Sequence, residues 1–94
     1  MNPRELTLFQ LQRHISQRYE KADRARGTAG TWLHFSEEVG ELARALARDD
    51  RANLAGEFAD CVAWLCTLAN INDVDLAAAV SEKYLGEKPP VGEK

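Results

Sequence analysis

The sequence is poor in the features that would make it a membrane, secreted or nucleic-acid-binding protein. Its longest uncharged stretch, Cys61 to Asn72, falls short of the roughly 20 apolar residues that cross a bilayer, and it contains Asn70 and Asn72. Met1-Asn2-Pro3-Arg4-Glu5 lacks the charged and apolar regions of a secretory signal, so a cytoplasmic location is expected. The two cysteines, Cys61 and Cys66, lie on one expected helix and face about 140° apart. They cannot close an unstrained disulfide there and read as small buried hydrophobes. His14 and His34 are the only histidines, and Glu-x-x-His is missing, which argues against a di-iron carboxylate bundle. A net charge of −3 and a pI near 5.3 speak against a nucleic-acid partner. The basic residues Arg13, Arg18, Lys21, Arg24 and Arg26 read as the solvated face and end of a helix.

What is present is helix. No segment has strand period, and no repeat or low-complexity region occurs. Thr7-x-x-Gln10 forms a capping box, and Leu8, Leu11, Ile15, Tyr19 and Ala22 recur at helical spacing, predicting a first helix over about 7–23. Gly27-Thr28-Ala29-Gly30 breaks the pattern, and Thr31 is the expected cap of a second helix over about 32–48, with Phe35, Val39, Leu42 and Leu46 as its stripe. Asp49-Asp50 marks a turn. A third helix over about 51–70 is expected to bury Leu54, Phe58, Cys61, Val62, Leu65 and Leu68. Asp73 is the expected cap of the fourth, which carries Leu76, Ala79, Val80 and Tyr84 and stops at Gly86. Pro89-Pro90 opens a frayed tail. The expectation is one all-α domain over residues 1–94, with its core in about 7–86, built as an antiparallel four-helix bundle. A chain of this length buries only about 60–65% of its unfolded surface, so a homo-oligomer is expected.

Four acids stand out, Glu38 with Glu41 and Glu57 with Asp60. The i, i+3 spacing puts each pair on one helical face, with Cβ atoms about 5–6 Å apart. Both pairs fall at the margin of an apolar stripe, and a hairpin of the second and third helices would bring them to one rim. Four carboxylates gathered there repel one another unless a cation compensates. Hard oxygen ligands select Mg²⁺, with Mn²⁺ as its substitute, and magnesium takes further oxygens from phosphates. The competing reading is a solvated acidic face, and spacing alone leaves both open.

Glu37-Glu38-Val39-Gly40-Glu41-Leu42 followed by Glu57-Phe58-Ala59-Asp60 resembles the Glu-Glu-x-x-Glu then Glu-x-x-Asp signature of MazG-like nucleotide pyrophosphohydrolases, members of the all-α NTP pyrophosphatase superfamily. Gly40-Glu41-Leu42-Ala43, Asp75-Leu76, Ala79 and Glu82-Lys83-Tyr84 look like family positions too. The resemblance implies Mg²⁺-dependent cleavage of a nucleoside triphosphate between the α- and β-phosphates. It implies Glu38, Glu41, Glu57 and Asp60 as metal ligands, and Glu37 as a ligand of a second metal or the group that orients the attacking water. It also implies a dimer or a dimer of dimers, with sites often completed by a neighbouring chain. A helical module that binds nucleotide or metal without turnover is the alternative, and a phosphoribosyl-ATP pyrophosphatase is a third reading.

Lys83 lies within about 60° of Leu76, Ala79 and Val80 on its helix, so it either snorkels outward or reaches an anion; the resemblance implies a phosphate contact. Trp32, His34 and Trp64 are candidates to stack on or border a nucleobase, against the alternatives of bundle packing for Trp64 and simple exposure for His34. Asn53, Asn70 and Asn72 could contact base or sugar, or simply end helices. Gly40 and Gly56 each cost their helix about 1 kcal/mol, which a close helix crossing within or between subunits would offset.

Overall fold

The computed structural model describes residues 2–87, so the tail expected from Pro89 onward lies outside the described residues. A 3₁₀ turn over Pro3–Glu5 leads into α1 (Leu8–Ala47), α2 (Arg51–Ile71) and α3 (Leu76–Tyr84), and no strand occurs among the described residues. Thr7 caps α1 with the capping box in place: its hydroxyl accepts from Gln10 N at 3.0 Å, and Gln10 Oε1 accepts from Thr7 N at 2.8 Å.

Three helices thus stand where four separate ones were expected, because α1 bends without a loop. Gly27 alone leaves helical geometry, at φ 81° and ψ 174°, a region essentially restricted to glycine. The helix resumes at Thr28, so Thr31 is no cap; it lies inside α1 with a fully buried side chain. Asp49 makes the next turn in the left-handed region (φ 51°). Asp73 does the same before α3 (φ 57°), which removes it from the cap position. Asp75 is the cap instead, accepting from Ala78 N at 3.1 Å.

The arm of α1 after the bend runs antiparallel to α2, since His34 meets Trp64 and Glu38 and Glu41 meet Glu57. The arm before it crosses the C-terminal end of α2, where Gln12 O accepts from Asn70 Nδ2 (3.1 Å) and Arg24 donates to Asn70 O (3.1 Å). Gln12 also holds α3: its Nε2 donates to Val74 O at 2.6 Å and its Oε1 accepts from Leu76 N at 2.9 Å. Asn72 donates to Leu68 O and Thr28 Oγ1, and Asn53 donates to Asp50. The three asparagines therefore serve helix ends and junctions.

The core of the single chain is small and half polar. Ile15, Ala45, Cys66 and Ala69 are buried together with Gln12, Asp23, Thr31 and Thr67. Phe58, Val62 and Leu65, expected inside, remain 49%, 41% and 44% exposed, and Val39 and Leu46 are exposed as well. The residues on each helix have correct helical phasing but are not covered among the described residues. By length and composition alone α2 could cross a membrane; its apolar excess is this outward stripe. Gly40 and Gly56 face open space, with nothing within 4 Å of a Cβ at either, so no crossing among the described residues accounts for them.

Candidate metal centre

Glu38 and Glu41 lie one turn apart on α1, and Glu57 projects from α2, placed opposite them by the antiparallel pairing. Oxygens from these three carboxylates come within 4.8 Å of one another. Glu38 and Glu57 are half-buried, and the Oε2 atom of each is shielded from solvent with no hydrogen-bond donor. Burial raises the Glu38 carboxyl from 4.5 to about 6, with Glu41, Asp60 and Glu57 adding repulsion. Glu57 is raised for the same reasons, burial first and then Glu41 and Asp60. Buried acceptors without donors are costly, and the charges that Glu38 and Glu57 feel most strongly are all acidic. A divalent cation satisfies both deficits, and an all-carboxylate donor set fits Mg²⁺ or Mn²⁺.

Asp60 stays outside the 4.8 Å triad, one turn further along α2, close enough for its charge to act on both raised acids. Glu37 does not join the triad either: its side chain is 73% exposed, and its Oε2 stands 4.0 Å from His34 Nδ1. Cys61 is half-buried beside the acids, its thiol pushed up by burial and then by Glu38, Glu57, Asp60 and Glu41. It is less buried than expected, whereas Cys66 is fully enclosed.

The aromatic candidates divide. His34 and Trp64 stack, with ring centroids 4.9 Å apart and planes 12° from parallel. The pair bridges α1 and α2 one turn from the acids. Trp32 is not brought to it; 55% exposed, it packs at a tilt on Phe35. Lys83 is exposed, and its Nζ lies 5.4 Å from the ring of its neighbour Tyr84. It is not among the charges that Glu38 or Glu57 feel most strongly.

A polar cluster beside Trp64 escaped the sequence reading. Asp23 Oδ1 accepts from Arg26 at 3.0 Å, Asp23 Oδ2 accepts from the Thr67 hydroxyl at 3.2 Å, and Thr31 Oγ1 accepts from Arg26 at 3.1 Å. With Ile15, Tyr19, Ala63 and Trp64, the Asp23, Arg26 and Thr67 side chains line an open cleft of about 410 Å³. Arg24 and Arg26 belonged to the basic cluster read as solvated: Arg24 is, pairing with Asp73 (2.8 Å) and Glu20 (3.2 Å) on the exposed surface, whereas Arg26 turns inward to the buried Asp23 (3.0 Å). The available signal was an acid and a base at i, i+3 immediately before a glycine.

No curated protein and no solved structure matches the chain. A family model, the MazG nucleotide pyrophosphohydrolase domain, matches residues 27–91. The matched stretch starts at the bend and carries Glu37, Glu38, Glu41, Glu57, Asp60, Trp64 and Lys83. With the match spanning well over half of the sequence, the chain belongs to the MazG nucleotide pyrophosphohydrolase domain family.

Proposed function

We propose that the protein is a Mg²⁺-dependent nucleoside triphosphate pyrophosphohydrolase that adds water across the α–β phosphoanhydride bond and releases a nucleoside monophosphate and pyrophosphate, in nucleotide pool control or house-cleaning. The observation that carries this reading is the pair of orphaned buried carboxylate oxygens on Glu38 and Glu57, gathered with Glu41 in a family of nucleotide pyrophosphohydrolases. Glu38, Glu41, Glu57 and Asp60 are the proposed ligands of Mg²⁺, with Mn²⁺ as a substitute. When bound, the ion offsets phosphate charge and lowers the pKa of a water. Glu37, exposed at the rim, is proposed as a ligand of a second metal or the group that orients the attacking water. Trp64 and His34 supply a flat apolar surface for a base next to the phosphate end, where stacking on an aromatic is worth about 1–3 kcal/mol. Trp32 is proposed to border the base and Lys83 to contact a phosphate.

A homodimer or homotetramer is part of the proposal. The uncovered stripe of Phe58, Val62 and Leu65, together with open space over Gly40 and Gly56, suits close approach of a second copy. A cytoplasmic location is proposed with it. Pyrophosphate release from a panel of ribo-, deoxy- and oxidised nucleoside triphosphates, with Mg²⁺ and with Mn²⁺, tests the activity. Absence of release from every nucleotide by protein that binds Mn²⁺ would refute it in favour of a binding module.

A further inference from the structure

The Gly27 bend holds a side-chain cluster that the acid site does not use. The Asp23 side chain is 5% exposed and that of Arg26 27% exposed. The two terminal guanidinium nitrogens of Arg26 are tied separately, one to Asp23 before the bend and one to Thr31 after it. Thr67, on α2, donates to the other oxygen of Asp23 and fastens the arrangement to the second helix. Arg26 also reaches over the indole of Trp64, with its guanidinium carbon 5.0 Å from the ring centroid. Room for this path comes from Gly30: a Cβ there would stand 2.9 Å from Arg26 Cγ and 3.5 Å from Cδ, closer than the stem tolerates without moving. Charge-assisted bonds to a buried carboxylate, together with an aromatic face, hold a guanidinium far more firmly than solvent does. Lysine, a point charge without a planar fork, could not make the same set of contacts.

We infer that Arg26 is a positioning residue: clamped by Asp23 and Thr31 across the bend, it fixes the plane of Trp64 and, through the stack, that of His34. Trp64 lies one turn beyond Asp60, and His34 one turn before Glu38. The stacked pair therefore sets the wall of the site beside the acids from both helices at once. The consequence for nucleotide binding rests on the proposed pyrophosphohydrolase activity; the positioning of the two rings does not.

Two variants separate the clamp from simple bracing. Arg26→Met keeps an unbranched stem and removes the fork, whereas Gly30→Ala retains every charged group and pushes the stem aside. The His34 ring signals, read by NMR in protein without nucleotide, should move toward those of an unstacked imidazole in both variants. KM for the best nucleotide of the panel should rise about fivefold or more, with kcat and Mn²⁺ affinity within about twofold of wild type. A lower melting temperature with His34 signals and KM unchanged in Arg26→Met would overturn the inference, since bracing of the bend predicts that result. If Arg26→Met does not fold, Gly30→Ala decides by the same two readouts. If the wild-type protein hydrolyses no nucleotide, the proposed function fails, while the His34 signals still decide the role of Arg26.

Discussion

Neutralising Glu38 should make the metal-free protein more stable, and only above a definite pH. The Glu38 carboxyl titrates near 6 instead of 4.5, chiefly because it is desolvated and then because Glu41, Asp60 and Glu57 surround it. A raised carboxyl favours the folded state when protonated. That advantage is complete below about pH 4.5 and is lost as the pH climbs through 6. The shift sets an upper bound of about 2 kcal/mol, which solvent screening of a half-exposed side chain reduces to about 1 kcal/mol. Glu38→Gln cannot ionise, so in chelator at pH 7.5 it should melt about 4–8 °C above wild type at equal protomer concentration. The gap should close near pH 4.5. Mn²⁺ should raise the melting temperature of wild type by binding linkage and leave the variant nearly unmoved. Circular-dichroism melts across that pH range, with chelator and with Mn²⁺, read all three effects. A Glu38→Gln protein less stable than wild type by the same margin at both pH values would refute the reasoning, because the ionised carboxylate would then be supporting the fold.

Gly27→Ala forces a Cβ into the glycine-only conformation at φ 81° and ψ 174° and should cost about 1–3 kcal/mol, measured by urea denaturation; an unchanged midpoint would show that the bend relaxes without strain. Gln12→Ala removes the two bonds that tie α1 to the chain at Val74 and Leu76 and should cost about 2 kcal/mol. Hydrogen exchange should accelerate selectively in 76–84, and uniform acceleration would count against a local joint. Phe58→Asp combined with Leu65→Asp should reduce the sedimenting species to a single protomer while α1 and α2 stay helical. An unaltered oligomer would place the interface elsewhere.

The period-3.6 pattern and the turn residues made the element types legible, and α2 matches its expected span to within one residue at its C-terminal end. The Gly27 segment was misread because composition does not reveal how few residues a bend requires. Two glycines three residues apart suggest a loop, yet one glycine in a rare conformation suffices and the helix resumes at once. Asp73 was misassigned for a related reason, since aspartate serves both as cap and as left-handed residue. Glu38, Glu41 and Glu57 were legible as a cluster because i, i+3 geometry is local and a hairpin of successive helices brings their faces together. Lys83 and Trp32 were not, because their relation to the acids depends on tertiary placement. The apolar stripe on α2 has the helical phasing expected of it, yet Phe58, Val62 and Leu65 stay exposed where burial was expected: periodicity fixes direction, not partner.

The start of the family match at Gly27 does not mark where the structural unit starts. The arm before the bend supplies Gln12, Ile15 and Asp23, three of the buried side chains. It also supplies bonds from α1 to the α2–α3 connection and the start of α3, through Arg24 and Gln12. Asp23 is the shared acceptor through which Thr67 on α2 and Arg26 at the bend are joined. Residues 27 onward therefore carry the acids, but the orientation of α2 against them depends on the preceding 19-residue stretch of helix, 8–26. A chain begun at Gly27 would keep Glu38, Glu41 and Glu57 in sequence while losing the contacts that hold Thr67 and the α3 junction. Its Mn²⁺ affinity, measured by titration calorimetry, should fall at least tenfold, the effect of loosening a site by about 1.4 kcal/mol. Wild-type affinity in that fragment would show that the α1–α2 hairpin assembles the acids by itself.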